Sequence, residues 1–401
     1  MGIILNKGQQ QVVDEALYHI HHSSEQTYQF SGLAGTGKSV VLNEIVKRSG
    51  LKEDEIAPMA YIGQAAVIMR LKGLKNARTI HSWRYEPIEK DEVDKNDIPI
   101  YDDYFATPKR SIGFAPIDDN FKGIKLIIVD EASSVPIEVR DDIDSLGIKV
   151  IACGDIGQLP PVNSTPGYLY TGKVTYLTEI MRQKAGNAIL YIADRARKGL
   201  PIQPGFYGNV LVIERKDLTN DMIAGSDIII CGKNKTRDNM TNRIRRDILH
   251  IHSDLPMMHE KLMCRKNNWN ISSNGISLTN GLIGSVINAP GPSDFDGQTF
   301  KIDFKPDLFG GLYRKLECNY NYLISNYEDR KKIKFDRYQD GNMLEFGYCG
   351  TAHTMQGSQY ANGIYIEEYL NPDIQKNLNY TGVTRFTNSL IYVIPDRKKY
   401  W

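Results

Sequence analysis

Neither sign of charge dominates this 401-residue chain: 49 basic and 48 acidic side chains leave a formal net charge of +1. Composition alone therefore argues for no polyanionic partner, and any nucleic-acid surface must be a local patch. The chain has only five cysteines, Cys153, Cys231, Cys264, Cys318 and Cys349. They form no C-x-x-C pair and no zinc spacing, which points to reduced thiols in a cytosolic protein. No run is apolar enough to span a membrane, no signal peptide is recognisable, and internal repeats are missing. His19, His21 and His22 have no second cluster to complete a metal site and read as residues of a helix surface. What remains is a chain long enough for two or more domains with real cores.

Residues 32–39 read GLAGTGKS, a complete phosphate-loop pattern. Gly32, Gly35 and Gly37 let consecutive N–H groups converge on one anion, which a Cβ would obstruct. Ala34 and Thr36 complete the loop, Lys38 reaches the β- and γ-phosphates, and Ser39 offers a hydroxyl to Mg²⁺. The β-prone run 27–31 precedes the loop, and apolar Val40, Val41, Ile45 and Val46 follow at helical spacing. Strand, loop and helix N-terminus thus occur in the order that anion binding requires. The run LIIVD (126–130) reads as a central parallel strand with Asp130 at its carboxyl end, a second position for the metal. Glu131 is placed to polarise an attacking water. The two segments together predict hydrolysis of a nucleoside triphosphate, with ATP and Mg²⁺ as the bound species.

Strand-like runs alternate with helical stretches in two blocks, with strands expected near 27–31, 57–62, 125–130 and 148–153, then 227–231, 363–367 and 389–394. This predicts an α/β chain of two tandem parallel-sheet domains. Two stretches break the pattern. Residues 85–120 are polar, acidic and proline-containing; residues 288–342 carry turns, alternating segments and the aromatic run 320–327. Both read as insertions, since loops of that length without structure are uncommon.

More residues than a simple kinase needs surround this pair. GDIGQLPPV (154–162) puts Gln158 on a loop next to Asp130, able to contact the γ-phosphate or attacking water. LTEIMRQ (177–183) supplies Arg182 and YTGVTR (380–385) supplies Arg385. Arginines presented across a cleft can stabilise charge on the transferring phosphoryl group and tie hydrolysis to closure.

With LNKGQ (5–9), GQAA (63–66), ARTIH (77–81), NGLIGSV (280–286) and TAHTMQGSQ (351–359), these strings form an ordered set that resembles a superfamily 1B helicase of the RecD/Dda-like group. The resemblance covers nearly the whole chain. It implies two RecA-like motor domains, 1–84 with 121–180 and 181–287 with 343–401. It also implies a pin-type hairpin insertion at 85–120 and a β-rich SH3-like insertion at 288–342. It implies an ATP-dependent 5′-to-3′ DNA helicase, with an RNA helicase or protein-displacing translocase as the alternative. Gln9 is then the residue that reads the adenine edge. Gln356 and Gly357 touch the nucleotide, and Thr79, His81, Thr351 and His353 touch the strand.

Expected partners are single-stranded and forked duplex DNA, for a monomer in the cytoplasm of a bacterial or phage-infected cell. The chain ends soon after its last strand, with no room for a further C-terminal domain. Two features depart from the pattern. Gln64 stands where relatives often carry a basic or hydroxyl residue, and the first insertion, with Glu89, Asp91, Glu92, Asp94, Asp97, Asp102 and Asp103, reads best as a solvated loop. Trp83 and Tyr85 are either stacking residues or a hinge core. Candidate phosphate contacts are Lys233, Lys235, Arg237, Arg243, Arg245 and Arg246, with Arg330, Lys331, Lys332, Lys334 and Arg337 in the second insertion.

Overall fold

A computed structural model describes residues 4–91, 110–181, 187–333 and 341–396. Two six-stranded sheets organise it. The first runs in the order Arg78–Thr79, Ile56–Ala60, Leu126–Asp130, Lys149–Gly154, Thr27–Gly32, Val174–Leu177, and every pairing in it is parallel. Its central strand explains the unbroken apolar run: Leu126, Ile127, Ile128 and Val129 are all fully buried, because helices cover both faces. Ile128 packs with Val41, Leu42 and Ile45 of the helix Lys38–Arg48 on one face. Ile127 and Val129 pack with Ile143 of the helix Ile137–Asp144 on the other. Burial of each such side chain stabilises by roughly 1.5–3 kcal/mol.

The second sheet runs Cys349–Thr351, Ile228–Cys231, Tyr360–Ile366, Phe386–Ile394, Val210–Glu214, Gly205–Tyr207. It is parallel except at the last pair, an antiparallel edge. The expected strands are present with shifted ends. The strand expected at 57–62 stops at Ala60, since Gly63 already begins a helix. The strand expected at 389–394 starts earlier, at Phe386. Two parallel-sheet units in tandem are thus the architecture.

Inserted within the second unit, after Ile228–Cys231 and before Cys349–Thr351, is an antiparallel five-stranded sheet, in the order Tyr313–Asn319, Thr299–Pro306, Ile283–Asn288, Lys261–Cys264, Leu344–Phe346. It has its own core around Phe300, Phe304 and Leu316. It reaches beyond residues 288–342 on both sides, because strands distant in sequence pair at its edge. Gly284 is required in it: a Cβ there would stand 2.2 Å from the Lys305 carbonyl oxygen of the neighbouring strand.

The first insertion departs from a solvated loop. Tyr85–Asp91 and Arg110–Pro116 form an antiparallel ladder from Tyr85↔Pro116 to Asp91↔Arg110. Its base is tied down by Arg84, whose guanidinium pairs with Asp118 at 2.5 Å and Asp142 at 2.7 Å. Glu92, Asp94, Asp97, Asp102 and Asp103 lie outside the described residues. Among the described residues no helix is long and apolar enough to cross a membrane.

Candidate nucleotide site and interdomain cleft

The strand Thr27–Gly32 delivers the phosphate loop to the N-terminus of the helix Lys38–Arg48. Gly35 and Gly37 have φ of +86° and +87°, a region that side chains with a Cβ rarely enter. A Cβ on Gly32 would meet Thr36 Oγ1 at 2.3 Å, and one on Gly37 would meet Gln9 Nε2 at 2.4 Å. Thr36 is buried and closes the loop by donating to the Leu33 carbonyl at 2.9 Å. Lys38 lies in the loop, with Nζ donating to the Gly32 carbonyl at 2.7 Å and 3.9 Å from Asp155. The Ser39 hydroxyl accepts from Lys72 Nζ at 3.1 Å.

Asp130 ends its strand as expected. Its Oδ1 accepts from the Glu131 amide at 2.9 Å and from the Cys153 thiol at 3.1 Å. Glu131 sits in a left-handed conformation, φ +51°, that turns the chain sharply after the strand. Enclosure of its carboxyl, and then the charge of Asp130, push its pKa up, while Arg385 and Lys38 pull it down. Gln158 is buried, its amide bonded to the Asp155 carbonyl at 3.0 Å.

The opposite wall comes from the second sheet. Arg385 is buried and bonds only neutral oxygens in the described structure: the Thr381 carbonyl at 3.1 Å, the Ser358 carbonyl at 3.4 Å and Thr384 Oγ1 at 3.2 Å. Its guanidinium charge acts on Glu131 across the cleft. Gln356 donates to the Leu159 carbonyl at 2.9 Å, and Gly357, φ +78°, abuts Ala65. The structure therefore brings Lys38, Asp130, Glu131, Gln158 and Arg385 to one cleft. Arg182 lies outside the described residues.

Gln9 has a different placement from the one expected. Nε2 donates to the Thr36 carbonyl at 3.0 Å and Oε1 accepts from the Asn6 amide at 3.1 Å, inside a helix capping box. Nε2 thus braces the phosphate loop at Thr36, while Oε1 caps the first helix. Two residues were overlooked, Asp155 and Tyr380. Both lie inside the segments 154–162 and 380–385, beside Gln158 and Arg385. The signal was available for Asp155, a carboxylate at the end of a buried strand.

The residues expected on the strand path divide. His81 stands between Tyr61 and Tyr85, each ring centroid 5.5 Å away, and burial lowers its pKa. His353 is half-buried, and desolvation lowers its pKa too. Thr79 and Thr351 are buried; Thr79 caps a short helix through the Ser82 amide, and Thr351 bonds Thr354. Trp83 corrects the expectation of a stacking platform. It is 8 % exposed, donates from Nε1 to the Pro58 carbonyl at 3.2 Å and packs on Phe121, so the hinge-core alternative holds.

Part of the expected basic patch is internal or already paired. Arg237 is 2 % exposed and pairs with Asp238 and Glu345; Arg245 pairs with Glu260 at 2.7 Å. Arg243 bonds Asn220 and the Leu218 carbonyl, and Arg330 bonds Glu345. Lys331 and Lys332 pair with Glu328 and Asp329. Lys233, Lys235 and Arg246 are exposed, and Lys334 and Arg337 lie outside the described residues.

ATP and Mg²⁺ can be tested against this donor set. Gly35 and Gly37 take the positive φ that lets successive loop amides face one anion, and the loop's lysine is held only by oxygens. Among the described residues no cluster of three or more His, Cys, Asp or Glu could hold a metal alone. Ser39 and Asp130 supply two hard oxygen donors, which suits Mg²⁺ completed by phosphate oxygens and water. The residues fit both groups.

A model of the AAA domain matches residues 4–207. The chain is 28% identical over 196 residues to the ATP-dependent DNA helicase PIF1 of Saccharomyces cerevisiae, covering 42% of this chain and 21% of that protein. It thus spans about a fifth of that relative's length. Among solved structures, Pif1 helicases at forked double-stranded DNA align with a TM-score of 0.57 at 17% identity, over 98% of this chain and 92% of theirs. A Bacteroides Pif1 helicase in complex with ADP-AlF3 and single-stranded DNA aligns with a TM-score of 0.56 at 16% identity, over the same shares. These structural likenesses bear on the fold.

Proposed function

We propose, from the premise that the chain belongs to the AAA domain family, that it is an ATP-dependent DNA helicase moving 5′ to 3′ on single-stranded DNA. The observation that carries this reading is the cleft itself. The phosphate loop and Glu131 form one wall, and Arg385, from the second sheet, reaches toward it from the other. Such a site depends on two units closing, which suits a motor better than a small-molecule kinase. The relatives named above are helicases, in keeping with the superfamily 1B resemblance.

In the proposed cycle, Gly35 and Gly37 hold the loop open for phosphate and Lys38 turns from the Gly32 carbonyl to bind it. Ser39 and Asp130 would hold Mg²⁺, which would supply positive charge against the phosphate oxygens. Glu131, its proton affinity raised by enclosure, accepts a proton from water. Arg385 balances negative charge as the cleft closes, and Gln158 links that event to the loop at 155–159. The row Tyr61, His81 and Tyr85 offers faces for bases at the root of the hairpin ladder. Single-stranded and forked duplex DNA are the proposed partners, in replication, recombination or repair within a bacterial or phage-infected cell. A monomer suffices for this cycle.

ATPase turnover with and without single-stranded DNA, paired with unwinding of tailed duplexes, tests the reading. Turnover should rise with the strand, and only 5′-tailed DNA should open. Lys38→Ala should abolish hydrolysis while sparing strand binding. Opening of only 3′-tailed duplexes would refute the polarity, preference for RNA tails would favour an RNA helicase, and stimulated turnover without strand separation would favour a protein-displacing translocase.

A further inference from the structure

One buried hydroxyl joins the two walls of the cleft and has no part in the cycle above. Tyr380 lies on the helix Pro372–Val383 of the second unit and is 2 % exposed. Its hydroxyl accepts from the Ala34 amide of the phosphate loop at 2.8 Å and donates to Asp155 Oδ2 at 2.8 Å. Donation to Asp155 requires a protonated phenol, and burial and the Asp155 charge push its pKa well up. Gly157 makes room for the ring, since a Cβ there would stand 2.9 Å from Tyr380 Cε1.

Asp155 is fully buried and anchored by the Gly157 amide on Oδ1 at 2.9 Å. Its Oδ2 is shared between Tyr380 and Lys38 Nζ at 3.9 Å. A chain therefore runs from the loop amide through the tyrosine and the aspartate to the loop lysine, with its middle member supplied by the second unit. Withdrawal of that unit would leave the Ala34 N–H and the Asp155 oxygen without this partner.

We propose that Tyr380 is a positioning residue for the phosphate loop, which makes the affinity of the loop for a nucleoside triphosphate depend on closure of the second unit. This rests on the proposed ATPase reading and deepens it. Arg385 acts on charge at the reacting phosphate; Tyr380 acts earlier, on the shape of the loop and the resting place of Lys38.

Tyr380→Phe keeps the ring and removes the hydroxyl. The test is equilibrium binding of a fluorescent ATP analogue to the full chain, with and without an oligothymidylate strand. The variant should bind the analogue about tenfold more weakly, the loss of one hydrogen bond to a charged group. The strand should no longer tighten nucleotide binding, although the melting temperature is little changed. Asp155→Asn should weaken binding as well, and the double variant should be no worse than the weaker single one, because both sit on one chain. Wild-type affinity and strand dependence in Tyr380→Phe, or strictly additive losses, overturn the inference while leaving the ATPase reading intact. A wild-type protein that neither binds nor hydrolyses ATP overturns both.

Discussion

Gly37 and Gln9 meet at the floor of the phosphate loop, and each constrains the other. Gly37 is left-handed at φ +87°, and its missing Cβ is the space that Gln9 Nε2 occupies. Gly37→Ala should weaken nucleotide binding about tenfold, from roughly 1–2 kcal/mol of backbone strain together with the clash. Adding Gln9→Ala should relieve the clash but not the strain. Recovery in the double variant is therefore partial in an equilibrium nucleotide-binding titration, and full recovery would refute the backbone argument. The glycine requirement was legible in the sequence, because the pattern states which positions need freedom. The partner of Gln9 was not legible, because a glutamine amide serves a base edge or a backbone carbonyl equally well.

At the scale of elements, the run 231–247 shows why charge in a sequence is ambiguous. Its arginines look like a phosphate-binding face, yet Arg237 and Arg245 point inward to Glu345 and Glu260. Glu345 stands on the last strand of the five-stranded sheet. It pairs with Arg237 of the helix Asn234–Arg243 at 3.4 Å, with Arg265 at 3.4 Å and with Arg330 at 2.5 Å. Arginines from three segments thus converge on one buried carboxylate and fasten the five-stranded sheet to the second unit. Glu345→Gln leaves three guanidinium groups with one carboxylate fewer. It should destabilise the protein by about 3–5 kcal/mol, read as a lower midpoint in urea unfolding. An unchanged midpoint would mean that the cluster is dispensable. The hairpin ladder carries the opposite lesson. Its sequence looks like solvated loop, but cross-strand pairing from Tyr85↔Pro116 outward needs no apolar periodicity, only an anchored root at Arg84.

Across the whole molecule, the two parallel-sheet units meet through Leu159, buried in the apolar core of the second unit, and through a ring of polar contacts. Asn377 Nδ2 lies within reach of the carbonyls of Ile156, Gly157 and Gln158 at 3.4, 3.0 and 2.9 Å. The Leu159 amide donates to Thr381 Oγ1 at 2.9 Å, and Gln356 donates to the Leu159 carbonyl. A joint of hydrogen bonds separates and reforms with less loss than an apolar core, which suits an interface that cycles. Asn377→Ala should cost about 1–3 kcal/mol at this joint. It should lower strand-stimulated ATP turnover several-fold, with the larger effect on kcat, since closure precedes hydrolysis in the proposed cycle. A change confined to KM would place Asn377 outside that step.

By itself the sequence determined the phosphate loop, the Asp130–Glu131 strand end and the alternation that makes two parallel sheets. These are local properties, set by spacing, glycine geometry and unbroken apolar runs over a few residues. Only the tertiary structure decided that Trp83 is core, that Arg237 and Arg245 of the basic run turn inward, and that Tyr380 joins the Ala34 amide to Asp155. Each of those depends on what a side chain meets after the chain has folded. The members of that last chain are separated by hundreds of residues, and a hydrogen bond between them leaves no periodicity to read.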